Sequence, residues 1–142
     1  MLSSESLPNA KTILVAEQEN TARNAVSKTL RACGYEVIEA CNGLEALRRA
    51  AAQRSEVHLL LTDVVLPGLY GWELAELMKL DWPRLKVLYV SSHLDHDALE
   101  LAETQFVMLL KPLDSGALSR CVQAALHSSS SFLKLSPEPL FI

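Results

Sequence analysis

A doubly wound α/β sheet is the fold this sequence predicts, and three observations predict it. Short β-rich apolar runs alternate strictly with amphipathic helical segments, five times over. One run, Leu59-Leu60-Leu61-Thr62-Asp63-Val64-Val65-Leu66, is apolar on both faces, as a central strand of a parallel sheet is. Turn residues punctuate the pattern at Gly34, Asn42-Gly43, Pro67-Gly68 and Pro83. Parallel strands joined by right-handed crossovers then carry helices on both faces of the sheet.

Residues 11–16 supply the first strand through Ile13, Leu14 and Val15. From Asn20 onward Ala22, Ala25, Val26 and Leu30 recur at helical spacing, with Asn20 or Thr21 as the expected cap and Gly34 as a left-handed stop. Residues 35–39 form a second short strand, followed by Asn42-Gly43 as the turn and a helix marked by Leu44, Leu47 and Ala51. Residues 59–62 are the third strand, and Pro67-Gly68 forces a turn directly after Asp63. The third helix, 71–80, has Leu74, Leu77 and Met78 on its inner face. Pro83 breaks the connection to a fourth strand over 86–90, and a weaker helix follows over 95–103. The fifth strand is 106–110. The last helix, 115–127, turns Leu118, Val122 and Leu126 inward. One domain over 11–127 is expected, with a flexible leader over 1–10. A Ser-rich linker and tail over 128–142 is read as disordered, since Pro137 and Pro139 forbid a continuous helix there.

Bulk properties narrow the function. With 142 residues the chain buries a core without disulfides or metals. A net charge of −4 argues against a nucleic-acid surface, which needs clustered Lys and Arg; Arg48-Arg49 is the lone adjacent basic pair and reads as a solvated helix face. Cys33, Cys41 and Cys121 are odd in number, lack the spacing of a zinc or redox motif, and read as reduced thiols. No run is long and apolar enough to span a bilayer, and the first residues lack the regions of a signal peptide, so a cytoplasmic location is expected.

The carboxyl ends of the first, third, fourth and fifth strands meet at one edge of such a sheet, where open α/β folds bind ligands. Glu17-Gln18-Glu19, Asp63, Ser91-Ser92 and Lys111-Pro112 fall there, making a cleft of acids, hydroxyls and one Lys. A strand-end Asp that merely caps a turn is the plainer reading of Asp63 taken alone, as a surface Lys is of Lys111. No Gly-rich phosphate loop follows the first strand, which argues against a flavin or nucleotide binder.

Five segments carry a resemblance in order and spacing: Thr12-Ile13-Leu14-Val15, Gly34-Tyr35-Glu36-Val37, Asn42-Gly43-Leu44-Glu45-Ala46-Leu47, Leu61 through Gly68, and Leu110-Lys111-Pro112. From about residue 11 to 127 the chain resembles a response-regulator receiver domain of two-component signalling, similar to the chemotaxis regulators. The resemblance implies a flavodoxin-like (βα)5 fold with strand order 2-1-3-4-5. It implies that Asp63 accepts a phosphoryl group from the phosphohistidine of a histidine kinase or phosphotransfer protein. Ser91 matches the hydroxyl that turns toward that group, and Lys111 matches the Lys that contacts it. Glu17 and Gln18 match the acidic pair that, with Asp63 and the backbone carbonyl of Val65, holds Mg²⁺. Output is implied through the face of the helix at 95–103, the fifth strand and the last helix, where a homodimer would also form. At most, self-catalysed phosphoryl transfer to Asp63 and hydrolysis from it are implied, not conventional turnover.

These roles have a physical logic. A carboxylate attacks an incoming phosphate only if the repulsion is neutralised by nearby cations, and Lys111 would serve as a point charge. The chain departs from the family pattern at the acidic pair, where two aspartates are usual. Gln18 removes a full charge from the direct metal ligand, which weakens Mg²⁺ binding. Glu17 is a methylene longer than the usual residue. Met108 stands three before Lys111, where an aromatic is common, so coupling through a swinging ring cannot operate in its familiar form. Ser92, where a small Ala or Gly is commoner, is a milder departure, and His93 near the cleft mouth, at a position that in this family can tune dephosphorylation, reads as an exposed loop His. Two readings therefore stay open: a phosphorelay receiver, and a pseudo-receiver that keeps the fold as a phosphorylation-independent protein-interaction module. Residues 61–71 resemble receivers attached to hybrid sensor kinases, and no room for a helix-turn-helix is seen after His127.

Overall fold

The computed structural model describes residues 10–91, 107–110 and 113–127, with the backbone alone for 107, 108 and 110. In chain order the elements are β1 (Thr12–Ala16), α1 (Asn20–Ala32), β2 (Glu36–Ala40), α2 (Gly43–Ala51), β3 (Leu59–Asp63), β4 (Val65–Leu66), β5 (Leu69–Tyr70), α3 (Gly71–Lys79), β6 (Lys86–Ser91), β7 (Val107–Leu110) and α4 (Ser115–Leu126). Five of the strands form one sheet in the order β2-β1-β3-β6-β7, and every pairing in it is parallel. This is the expected order, because β4 and β5 stand apart as a two-residue antiparallel ladder. Residues 1–9 of the expected leader, the tail over 128–142, the helix over 95–103, Ser92, His93, Lys111, Pro112 and the side chain of Met108 lie outside the described residues.

Alternation along the strands splits the core in two. On one face Ile13, Val15, Leu59, Leu61, Leu88, Val90 and Leu109 pack against Val26 and Leu30 of α1 and Leu118, Val122 and Ala125 of α4. On the other, Leu14, Ala16 and Leu60 meet Ala46 and Ala50 of α2 and Leu74, Ala75 and Met78 of α3. Every residue of β1 and β3 is buried, which is why these strands read as continuous apolar runs.

Four local expectations are corrected. The cap of α1 is Glu19, not Asn20 or Thr21, and its own side chain makes no capping bond. Asn42 does not simply turn the chain: its Oδ1 accepts the Glu45 N–H at 2.7 Å and caps α2, while Glu45 Oε1 accepts the Cys41 N–H at 2.7 Å. That contact from Cys41 holds the Glu45 carboxyl below the usual carboxylate range. Leu77, placed inward by spacing, is 44% exposed, and Leu44, a marker of the second helix, is 70% exposed, because the small Ala46 and Ala50 and the Leu74–Met78 pair take the sheet-facing stripe. The turn at Pro67-Gly68 comes after β4, not directly after Asp63; Gly68 has φ +80°, as the third position of a type II turn requires. The stop at Gly34 is as expected. With φ +97° it closes a Schellman motif, its N–H bonding Arg31 O at 3.0 Å and the Tyr35 N–H bonding Leu30 O at 3.2 Å.

At the opposite edge of the sheet from the candidate site, His58 Nδ1 accepts the Thr12 N–H at 3.0 Å and so joins β1 to the start of β3. Burial pushes the His58 pKa down; Glu56 opposes this, while Lys11 and Arg84 add to it, and Lys86 lines the same small pocket. A depressed folded value means the neutral ring is favoured in the fold. Its contribution is present above the unfolded value of about 6.5 and is lost as pH falls below it. His58→Asn, whose Oδ1 still accepts but does not titrate, should show a shallower fall in denaturation midpoint between about pH 7 and pH 5 than the unaltered protein. Parallel midpoint curves for the two proteins would contradict this.

Candidate functional site

Parallel β1, β3 and β6 bring their carboxyl ends to one edge. Register pairs Ala16 with Thr62 and Asp63 with Val90, which sets Glu17, Asp63 and Ser91 side by side. Ser91 in turn pairs with Leu110, so β7 ends at the same edge, one residue before Lys111. Of the predicted site residues, the structure thus brings together Glu17, Gln18, Asp63 and Ser91.

The two acids are buried, Glu17 at 5% exposure and Asp63 at 8%. Buried carboxylates are tolerated only when hydrogen-bonded or paired. Asp63 Oδ2 accepts the backbone N–H of Gln18 at 3.4 Å. Glu17 curls back so that its Oε2 accepts the Glu19 N–H at 2.9 Å, a bend its extra methylene permits, and this places the carboxylate at the start of α1. The Gln18 side chain itself belongs to an exposed residue.

The peptide after Asp63 is fixed from several sides. Val64 donates to Val90 O at 3.0 Å, Gly71 donates to Val64 O at 2.7 Å, and Thr62 Oγ1 donates to Asp63 O at 2.9 Å. Val64 packs with Tyr89 and Trp72, and burial pushes the Tyr89 hydroxyl up to about 12, with Glu76 adding to the shift. Val65 is 53% exposed on the β4–β5 ladder, and Tyr70 of that ladder stacks on Trp72 with ring centroids 6.2 Å apart. Gly71 starts α3 directly beneath Asp63. A Cβ there would overlap the Asp63 carbonyl oxygen and lie 3.0 Å from Thr62 Cγ2. Because a backbone atom cannot rotate away, Gly71→Ala should destabilise by about 1–3 kcal/mol despite its better helix propensity. An unchanged urea midpoint would show that the helix start slides freely.

Thr62, Gly71 and Arg23 are residues of this region that the sequence reading missed. Arg23 Nη1 donates to the Glu17 carbonyl at 2.9 Å, but in the sequence it is an ordinary helix Arg. Between α1 and the start of α4 a groove of about 720 Å³ opens beside the site, lined by Ala22, Ala25, Val26 and Leu118 together with the acids Glu17 and Asp114.

The donor set suits a hard divalent ion in kind. Mg²⁺ takes oxygen ligands, usually one or two carboxylates with waters and phosphate oxygens. Glu17, Asp63, the Gln18 amide oxygen and the Val65 carbonyl are all oxygen donors at this edge. Among the described residues no group of three His, Cys, Asp or Glu gathers.

A strand-end acid at the centre of a 2-1-3-4-5 parallel sheet, flanked by a second buried acid and a strand-end hydroxyl, defines a class. The family model for the response regulator receiver domain matches residues 13–123, and the chain belongs to that family of two-component signalling domains. Its relatives are specific. The chain is 32% identical over 123 residues to the sensor kinase CckA of Brucella abortus (strain 2308), covering 85% of this chain and 13% of that protein. It is 38% identical over 81 residues to the response regulator receiver protein CpdR of the same organism, covering 57% of this chain and 66% of that protein. Among solved structures, the receiver domain of the hybrid histidine kinase CckA matches with a TM-score of 0.69 at 33% identity, over 82% of this chain and 99% of that one. A receiver domain from Clostridium thermocellum matches with a TM-score of 0.71 at 27% identity, over 82% and 94%. The chain therefore spans less than two thirds of the length of these curated relatives. Receiver domains as a family use Mg²⁺ for phosphorylation. No described helix is long and apolar enough to cross a membrane.

Proposed function

We propose that this domain receives a phosphoryl group on Asp63 from the phosphohistidine of a histidine kinase or phosphotransfer protein. The observation that carries this is Asp63 itself: a buried carboxylate ending the central strand, at the edge shared with Glu17 and Ser91. A carboxylate oxygen of Asp63 attacks phosphorus, the bond from phosphorus to the donor's imidazole nitrogen breaks, and an acyl phosphate forms as the imidazole leaves with that electron pair. Ser91 offers a hydroxyl to the phosphoryl oxygens, and Lys111 supplies a positive charge to them. Glu17, Gln18, Asp63 and the Val65 carbonyl would hold Mg²⁺, whose chemistry is to neutralise charge on the phosphoryl oxygens. Gln18 makes that hold weaker than two acids would.

Switching then alters a face that includes β7 and α4, where an output partner or a second copy of the domain binds. The similarity to the receiver of CckA, a hybrid histidine kinase, supports a phosphorelay setting for this chain. Incubation with a small acyl phosphate donor at high Mg²⁺ tests the reading: one phosphoryl group per chain is expected, and none in the presence of a chelator. No incorporation at any Mg²⁺ concentration would leave the protein-binding pseudo-receiver in its place.

A further inference from the structure

The Glu17 carbonyl and the Gln18 N–H belong to one peptide unit, and that unit is held at both ends. Its oxygen accepts from Arg23 Nη1 at 2.9 Å, while its N–H donates to Asp63 Oδ2 at 3.4 Å. A peptide is planar, with its C=O and N–H pointing in opposite directions, so whatever fixes the oxygen also aims the hydrogen. Arg23 is itself fixed. Its Nη2 donates to Asn20 Oδ1 at 2.6 Å and its Nε lies 3.3 Å from Glu39 Oε1 of β2, with the side chain 15% exposed. The guanidinium fork thus spans the loop, α1 and β2 with three acceptors, a geometry that Lys cannot reproduce. A cation on a peptide oxygen also polarises that peptide and strengthens donation by its N–H.

We infer that Arg23 is a positioning residue for Asp63, acting through the Glu17–Gln18 peptide to set the orientation of the buried carboxylate. The chain of contacts runs from Glu39 through Arg23 and the peptide to the acid. The Asp63 end of it takes its importance from the phosphoacceptor role proposed above. Arg31 is the internal control, because its Nη1 lies 3.1 Å from Glu39 Oε2 and its Nη2 donates to Val37 O, neither of which is the Glu17 carbonyl.

Amide exchange and phosphoryl incorporation, measured on Arg23→Met, Arg23→Lys and Arg31→Met, separate positioning from general stability. Arg23→Met should exchange the Gln18 amide roughly tenfold faster and take phosphoryl from an acyl phosphate donor roughly tenfold more slowly. Arg23→Lys should fall between Arg23→Met and the unaltered protein, and Arg31→Met should match the unaltered protein in both. In the unaltered protein the Arg23 guanidinium should give resolved, slowly exchanging Nη proton signals, a measurement that stands even if the variants fail to fold. A freely rotating Arg23, or a folded Arg23→Met with Gln18 exchange as in the unaltered protein, would overturn the inference. If the unaltered protein takes no phosphoryl group while Gln18 exchange still responds to Arg23→Met, the phosphoacceptor reading fails and the positioning contact stands.

Discussion

Asp63→Asn should abolish phosphoryl incorporation, lowering its rate by at least ~10³-fold, as loss of a sole nucleophile does. The side chains are nearly the same shape, and the Asn amide oxygen can still accept the Gln18 N–H that reaches Asp63 Oδ2 at 3.4 Å. What disappears is the anionic oxygen proposed to attack phosphorus. Since Asp63 is buried, a neutral amide there also removes the need to hold a charge away from water, so the variant should remain folded. The mass of the intact protein after exposure to donor and Mg²⁺ reads the result directly. An Asn variant that gains a phosphoryl group as fast as the unaltered protein would place the acceptor elsewhere.

Gln18→Asp should raise the affinity for Mg²⁺ about tenfold, with a cost to the metal-free protein. A third full charge beside Glu17 and Asp63 strengthens a hard-cation site, because affinity at such sites follows ligand charge. The same charge repels two buried acids when no cation is present. Residue 18 is exposed, so solvent screens part of that repulsion and the destabilisation should be modest. The two effects have opposite signs in one experiment. Without divalent ion the variant should melt below the unaltered protein, and in millimolar Mg²⁺ above it, as binding to the folded state alone requires. Equal melting curves at every Mg²⁺ concentration would show that position 18 does not approach the ion.

Much of this could be read from the chain because a parallel sheet writes itself plainly. β1 and β3 are buried along their whole length and so appear as unbroken apolar runs. Asp63 and Ser91 could be found because strand ends in such a sheet are where chemistry collects. The helices were harder. Leu44 and Leu77 satisfy helical spacing but point outward, since a sheet-facing stripe chosen for close approach favours Ala46 and Ala50 over larger side chains. The Val65–Tyr70 ladder was missed because two-residue strands leave no periodicity to detect. The inward curl of Glu17 and the grip of Arg23 on the Glu17 carbonyl depend on side chain to backbone contacts, which residue spacing does not encode.

The strand order has a consequence for how the site comes into being. Glu17, Asp63 and Ser91 follow or end three strands whose neighbours in the sheet are far apart in the chain, and none of these pairings is a local hairpin. Long-range parallel pairing forms late in folding, after loop closure has been achieved. Glu17 and Asp63 therefore meet only once β1 has paired with β3, and Ser91 joins them only once β6 has docked beside β3.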